Sequence, residues 1–289
     1  GWNLPNWLLR REMGARLAEL ENVDFRPGTG FERMVTRTKH ALATLSDGTQ
    51  VRARLVIGAD GRHSAVREAA GISAKTTRYG QKAIVFSVTH PNPHDNVSTE
   101  VHRSGGPFTL VPLPDQDGQP CSSVVWMESG AECLRLESLS DEDFSAAATA
   151  RSAGVYGDLK LASKRQVWPI ITQVADSLIA QRTALVAEAA HVVPPIGAQG
   201  LNLSLADMDL LLELACANPE SLGDSQMLET YARRRSPEVQ MRVKGVDALN
   251  RASIAGAPIL RDLRAKGLEA LYGFEPLRKS LMQLGLGAR

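Results

Sequence analysis

Two stretches hold residues whose types and spacing could do chemistry. Residues 185–212 read LVAEAAHVVPPIGAQGLNLSLADMDLLL. Pro194 and Pro195 fix φ and offer no N–H, so they make a stiff wall. Gly197 and Gly200 allow positive φ and let a ligand approach without a Cβ in the way. The helix that follows presents unpaired N–H groups and a positive dipole end. Main-chain donors near Gly200, Leu201 and Asn202 could therefore hold a flat anionic ligand. The same glycine-rich sequence also suits a strand-to-helix turn that only packs. The second stretch is VIGADGRHSAVREAAGI, residues 56–72. Asp60 leaves the carboxyl end of a strand, where open α/β sheets bind ligands. The alternative for Asp60 is a turn or helix-capping residue. A third segment, His90-Pro91-Asn92-Pro93-His94-Asp95, invites a metal reading. Its prolines and lack of a partner cluster make it a solvent loop instead, so no metal site is expected.

The elements that must position these residues follow from periodicity. Thr183 to Ala187 is a short apolar run that reads as a buried strand. From Leu201 the apolar residues Leu201, Leu205, Met208, Leu211, Leu212 and Leu214 recur at helical spacing. Leu203 and Leu210 widen the stripe, which predicts a largely buried helix. Leu55 to Gly58 predicts a strand, and Ser64 to Ala70 a helix closed by Gly71. Upstream, Asn6 to Glu21 has helical spacing with Asn6 as N-cap. Strands are expected at Val23 to Phe25, Phe31 to Thr38, Ala41 to Leu45 and Gln50 to Ala53, with a hairpin turn at Ser46-Asp47-Gly48.

From Lys75 the pattern changes to Ala83 to Thr89, Thr99 to Arg103, Phe108 to Pro112, Ser122 to Met127 and Arg165 to Ile171. These read as a mainly antiparallel sheet, with a helix at Asp141 to Arg151 capped by Ser140. After Cys216 the chain reads as helical. Gln226 to Asn250 forms one stretch kinked or broken at Pro237. Pro258 to Leu271 and Pro276 to Leu284 each open on a proline suited to a first helical turn.

Composition narrows the function classes. The 289 residues are 22% charged and 43% hydrophobic, as in a soluble globular protein with a substantial core. A net charge of +1 excludes a general nucleic-acid footprint. Cys121, Cys133 and Cys216 are too few and too scattered for a disulfide framework, and fit a reducing compartment. No run approaches the ~18 apolar residues of a membrane span, and no signal peptide opens the chain. From Arg233 to Arg289 there are 12 Lys/Arg against 5 Asp/Glu. Such a basic helical tail suits an anionic membrane surface, or is a solvated helix face.

PPIGAQGLNL closely resembles the flavin-contacting loop of the FAD-dependent aromatic-ring monooxygenases. Within them it resembles the ubiquinone-biosynthesis branch, of the 2-polyprenylphenol or 2-polyprenyl-6-methoxyphenol hydroxylase type. VIGADGRHSAVREAAGI resembles the family's Asp-Gly motif, in the family's order. The resemblance implies that Pro195 lies by the reactive face of the flavin. It puts Gly197 in the same loop, and Gly200, Leu201 and Asn202 at the pyrimidine edge. Asp60 and Gly61 would contact cofactor near the pyrophosphate and the path of NAD(P)H. Arg67 also matches the pattern, with pairing to a neighbouring carboxylate as its structural alternative. Where the family has Gly-Asp on the ribityl chain, this chain has Ala187-Glu188. Glu188 keeps the carboxylate on a longer arm. His191 matches the family position and reads as a packed, hydrogen-bonded histidine.

The implied fold is α/β (α+β). A partial, Rossmann-like FAD-binding domain (1–74 and 178–217) is interrupted by a β-sheet substrate domain (75–177) and followed by a C-terminal helical region (218–289). The family's opening βαβ unit with Gly-x-Gly-x-x-Gly is not found in this sequence. The chain is thus expected to match only the later part of the family and, alone, to hold FAD weakly or not at all. The implied activity of the complete protein is hydroxylation of a polyprenylated phenol, with NAD(P)H reducing FAD and O₂ supplying the oxygen. No side chain is expected as acid or base. A cytoplasmic enzyme, peripheral at the inner face of the membrane through its basic helices, follows from that reading. The alternatives are a flavin-free binding protein of the same ancestry, and a flavoenzyme acting on a small aromatic acid or a prenyl chain.

Overall fold

The computed structural model describes residues 3–103 and 105–254. In chain order, α1 is Asn6–Ala18, followed by β1 (Phe31–Thr36), β2 (Ala41–Leu45), β3 (Gln50–Ala53), β4 (Val56–Gly58) and α2 (Ala65–Ala69). Then come β5 (Ala74–Thr89), β6 (Thr99–His102), β7 (Pro107–Gln116), β8 (Gln119–Ser129), α3 (Gly130–Glu137) and α4 (Asp141–Arg151). The last group is β9 (Lys160–Leu161), β10 (Gln166–Ala175), β11 (Ile179–Ala180), β12 (Thr183–Leu185), α5 (Ala187–Ala190), β13 (His191–Val192), α6 (Gln199–Ala217) and α7 (Ser225–Ile254). The described residues form two compact units. One takes 3–27, 79–170 and 252–254; the other takes 28–78 and 171–251.

The first unit is built on an antiparallel sheet in the order β6-β7-β8-β5, with β9 beside β5. Asp117 and Gly118, both at positive φ, make the tight turn between β7 and β8. One sheet face carries Ile84, Phe86, Val88, Phe108, Leu110, Val124 and Trp126, which pack with Leu136, Phe144 and Ala148 from α3 and α4. Full burial of each large apolar side chain contributes roughly 1.5–3 kcal/mol. Phe86 and Phe144 meet edge-on at 4.8 Å, the offset that the ring quadrupoles favour. Ser140 caps α4 by accepting from the Asp143 N–H at 3.0 Å.

Three expectations are corrected in this unit. His90 is not in solvent. It is 2% exposed, stacks on Tyr156 at 4.8 Å, and its Nε2 and Nδ1 lie 2.9 Å from Ser122 Oγ and 2.8 Å from the Asn92 carbonyl. Residues 23–25 form no strand, and Pro5 rather than Asn6 is the residue before α1. The helix α3 escaped periodicity because its eight residues are too few to show two apolar turns; Ser129 caps it.

The second unit has two small sheets. The meander β1-β2-β3 is antiparallel, and α2 lies against β1. The other sheet has the order β11-β12-β4, with β12 and β4 parallel. Their core joins Val66, Leu178, Ala184, Leu185 and Val186 to Leu211 of α6 and Met227, Leu228 and Tyr231 of α7.

Helix α6 departs from expectation. Leu201, Leu205, Met208 and Leu212 are 44–64% exposed, whereas Leu203, Asp207 and Leu211 are buried. So many leucines blur the periodic signal that marks a buried face, and a buried charge decides the helix's rotation instead. Helix α7 runs unbroken through Pro237. The expected helices 258–271 and 276–284 lie outside the described residues. Among those described, no helix is long and apolar enough to cross a membrane, and no cluster of three or more His, Cys, Asp or Glu residues is able to hold a metal.

Candidate functional site

Both sequence motifs emerge from one edge of one parallel strand pair. Val56, Ile57 and Gly58 of β4 sit beside Thr183, Ala184 and Leu185 of β12. Gly58 permits this closeness: a Cβ there would lie 2.8 Å from Leu185 Cδ2 and 3.0 Å from Val66 Cγ1. The Val186 N–H extends the ladder by donating to the Gly58 carbonyl at 3.0 Å. Past these carboxyl ends the chain enters the Asp60-Gly61 turn on one side and the Ala187–Ala190 turn on the other. The carboxyl edge of parallel strands is where such sheets bind ligands.

The Asp60 turn is self-supporting. Its carboxylate accepts from Ser64 Oγ at 2.5 Å and from the Val66 N–H at 3.1 Å. Ser64 Oγ in turn accepts from the Arg67 N–H at 2.9 Å, capping α2. Of the roles the sequence allowed, these contacts are those of a helix-capping residue. Asp60 itself stays exposed. Gly61 follows at φ +83°, with open space where a Cβ would stand.

Arg67 is 6% exposed and, among the described residues, pairs with no carboxylate, contrary to its structural alternative. Its guanidinium donates to the Ala189 carbonyl at 2.9 Å and the Arg62 carbonyl at 3.0 Å, so it ties one motif turn to the other.

The strand expected to reach Ala187 ends at Leu185, because Ala187 takes φ +54°. That left-handed conformation favours glycine and strains an alanine. The Ala187 N–H donates to Asp207 Oδ2 at 3.0 Å. Glu188 projects outward, its side chain 54% exposed and 3.8 Å from Arg62 Nε. A pair so open to water contributes under about 1 kcal/mol, so Glu188 is available to other donors.

In the third turn Pro194 is buried and Pro195 exposed. The Ile196 N–H donates to the Pro194 carbonyl at 2.8 Å. The positive φ values fall on Gly197 (+66°) and Ala198 (+52°), not on Gly200 as expected. Gly200 already lies in the first turn of α6, with nothing within 4 Å of a built Cβ. The helix therefore starts at Gln199, two residues before the apolar pattern. Ala198 brings no side chain to cap it. Asn202 Nδ2 donates to the Ala198 carbonyl at 3.1 Å, and Leu201 and Asn202 are exposed.

Behind these turns lies an ionic cluster that motif reading missed. His191 Nε2 lies 2.7 Å from Asp207 Oδ2, and both side chains are 1% exposed. Asp207 Oδ1 accepts from Arg235 Nε at 2.5 Å. Arg235 also donates to the Leu203 carbonyl at 2.9 Å and to Glu238 Oε2 at 2.6 Å. Tyr231 Oη donates to the Leu185 carbonyl at 2.9 Å; burial first, then the Asp207 charge, push its phenol far above the usual range. The available signal was Asp207 itself, one helical turn from both Leu203 and Leu211 on the buried face of an otherwise apolar helix.

The chain has relatives among known proteins. It is 34% identical over 293 residues to ubiquinone hydroxylase UbiL of Rhodospirillum rubrum, covering 99% of this chain and 67% of that protein. It is 30% identical over 276 residues to the mitochondrial ubiquinone biosynthesis monooxygenase COQ6 of Mus musculus, covering 83% of this chain and 57% of that one. The chain thus spans roughly three-fifths of the length of the curated relatives it matches. In fold it is similar to the Diels-Alderase PyrE3 of pyrroindomycin biosynthesis, with a TM-score of 0.77 at 21% identity over 99% of this chain and 61% of that one. The model of the family described as FAD binding domain matches residues 3–245, and the chain belongs to that family.

Proposed function

We propose that the complete protein is an NAD(P)H-using, FAD-dependent monooxygenase that hydroxylates the aromatic ring of a polyprenylated phenol in ubiquinone biosynthesis. The observation that carries this is the convergence of the Asp60-Gly61 and Ala187-Glu188 turns at one edge of β4 and β12, joined by Arg67. The names of the relatives supply the substrate class.

The residues present fit FAD. Gly61 and Gly200 leave open space where a Cβ would stand, and an uncapped helix start offers main-chain donors. Bound FAD would supply the redox chemistry, taking electrons from NAD(P)H and delivering one oxygen atom of O₂ to the ring. The chain's own residues bind and orient. N–H groups at Gly200 and Leu201, free in the first turn of α6, stabilise negative charge at the flavin's pyrimidine edge, with Asn202, whose N–H already enters the helix ladder, beside them. Pro195, with Gly197 behind it, forms a rigid wall at the reactive face. Glu188 accepts from a ribityl hydroxyl, and Asp60 and Gly61 border the pyrophosphate. No side chain serves as acid or base. Residues 75–177 form the substrate domain, and the excess of Lys and Arg in the sequence from Arg233 onward suits contact with the inner face of the membrane.

The test is the complete protein, purified and mixed with NAD(P)H, O₂ and a polyprenylphenol. A yellow protein with one FAD per chain and a product heavier by one oxygen is expected. A folded protein that takes up no flavin overturns the proposal in favour of a flavin-free binding protein.

A further inference from the structure

We infer that Asp207 is a positioning residue, which sets the geometry of the Ala187 turn and the Gly197 turn together through one chain of hydrogen bonds, all but the last of them made by charged groups. The inference rests on the proposed function for its purpose, but its geometry is independent of flavin. In one direction, Asp207 Oδ2 holds the Ala187 N–H at 3.0 Å and His191 Nε2 at 2.7 Å. A carboxylate only accepts, so His191 donates through Nε2. In the other direction, Asp207 Oδ1 takes Arg235 Nε at 2.5 Å, and Arg235 Nη1 reaches Glu238 Oε2 at 2.6 Å. Glu238 Oε1 takes Arg242 Nε at 3.1 Å, Arg242 Nη1 reaches Gln199 Oε1 at 2.6 Å, and Gln199 Nε2 closes on the Gly197 carbonyl at 2.9 Å. The two ends of this chain are Ala187 and Gly197. They bracket Glu188 and Pro195 and lead into Gly200, Leu201 and Asn202.

Two features argue for positioning rather than bulk stability. A desolvated ion pair such as Asp207–Arg235 gives no more stability than well-packed apolar side chains of the same size, whereas its directional bonds fix geometry. And the Ala187 N–H is held in a left-handed bend that alanine does not favour by itself. Released from Asp207, that bend is free to relax and to carry Glu188 away.

The test uses the complete protein with Glu238→Gln and, separately, Asp207→Asn. Glu238 is 28% exposed, so its neutral replacement leaves the fold standing. Hydrogen exchange without flavin is followed at 187–202 and, as an internal control, at 56–69. FAD affinity and the flavin absorption spectrum are measured in parallel. Both variants are expected to speed exchange at 187–202 while 56–69 keeps its protection. The FAD dissociation constant should rise roughly ten-fold, the effect of one lost charge-assisted hydrogen bond, with a displaced flavin band. Unchanged exchange at 187–202, or a uniform rise across both segments, overturns the inference. If Asp207→Asn does not fold, Glu238→Gln alone decides. A wild type that takes no FAD, with the localised exchange change still seen in the variants, refutes the proposed function and leaves the positioning role supported.

Discussion

The Arg67 guanidinium donates to the Ala189 carbonyl 2.9 Å away, across 122 positions of sequence. With its second bond to the Arg62 carbonyl, this buried cation staples together the two turns that leave β4 and β12. Hydrogen bonds from charged groups contribute about 1.5–3 kcal/mol, more than neutral ones. Arg67→Met keeps much of the apolar stem and removes both bonds. It is expected to destabilise the chain by about 2–4 kcal/mol in urea denaturation. A loss below about 0.5 kcal/mol would show that the two turns hold their places without it.

Ala187 occupies a conformation at φ +54° that costs an L-residue roughly 1–2 kcal/mol. Ala187→Gly removes that cost and gives back part of it as unfolded-chain entropy. A net gain of roughly 0.5–1 kcal/mol in unfolding free energy, read from urea denaturation, is expected. A destabilised variant would mean that the Ala187 methyl contributes packing that outweighs the strain.

Gly197 and Gly200 separate two uses of glycine. Gly197→Ala places a Cβ at φ +66° and should cost about 1 kcal/mol or more of stability. Gly200→Ala meets open space in a helix, so stability should hold or rise by up to about 1 kcal/mol. In the complete protein, FAD titration should nevertheless show weaker binding for Gly200→Ala, because the methyl fills space reserved for the ligand. Unchanged affinity would remove Gly200 from the proposed cofactor contacts.

Glu188→Ala should loosen FAD in the complete protein by roughly one to two factors of ten, the worth of one charge-assisted hydrogen bond. Glu188→Asp should weaken it too, since the shorter arm falls short. Equal affinities for wild type and both variants would assign Glu188 to the solvent pair with Arg62 alone.

The three thiols should differ in reactivity. Cys216 is exposed, whereas Cys121 and Cys133 are buried. Burial, and then the nearby Glu128 charge, push Cys133 up to about 11, and burial raises Cys121. The thiolate is the reactive form. A thiol reagent at pH 8 should therefore label Cys216 alone in the folded chain and all three in denaturant. Rapid labelling of Cys133 before unfolding would contradict the packing of α3 on β8.

The sequence by itself determined the local chemistry and the family. Glycine and proline spacing marked both motif turns, Ser64 and Ser140 marked helix starts, and alternation marked the antiparallel sheet. Each of these is a short-range preference, set by φ, by a missing N–H or by a cap a few residues away. The tertiary structure decided what depends on neighbours distant in sequence. Gly58 could be read only as a strand end, until Leu185 and Val66 were seen against it. Arg67 matched a motif, but of its two partners only the Arg62 carbonyl is near in sequence; the Ala189 carbonyl, 122 positions away, appears only in the fold. The leucines of α6 pointed to a wide buried face. The buried face was settled instead by Asp207, whose charge had to meet Arg235 and His191 out of water. Local preference is written residue by residue, but the cost of burying a charge is settled only by what folds around it.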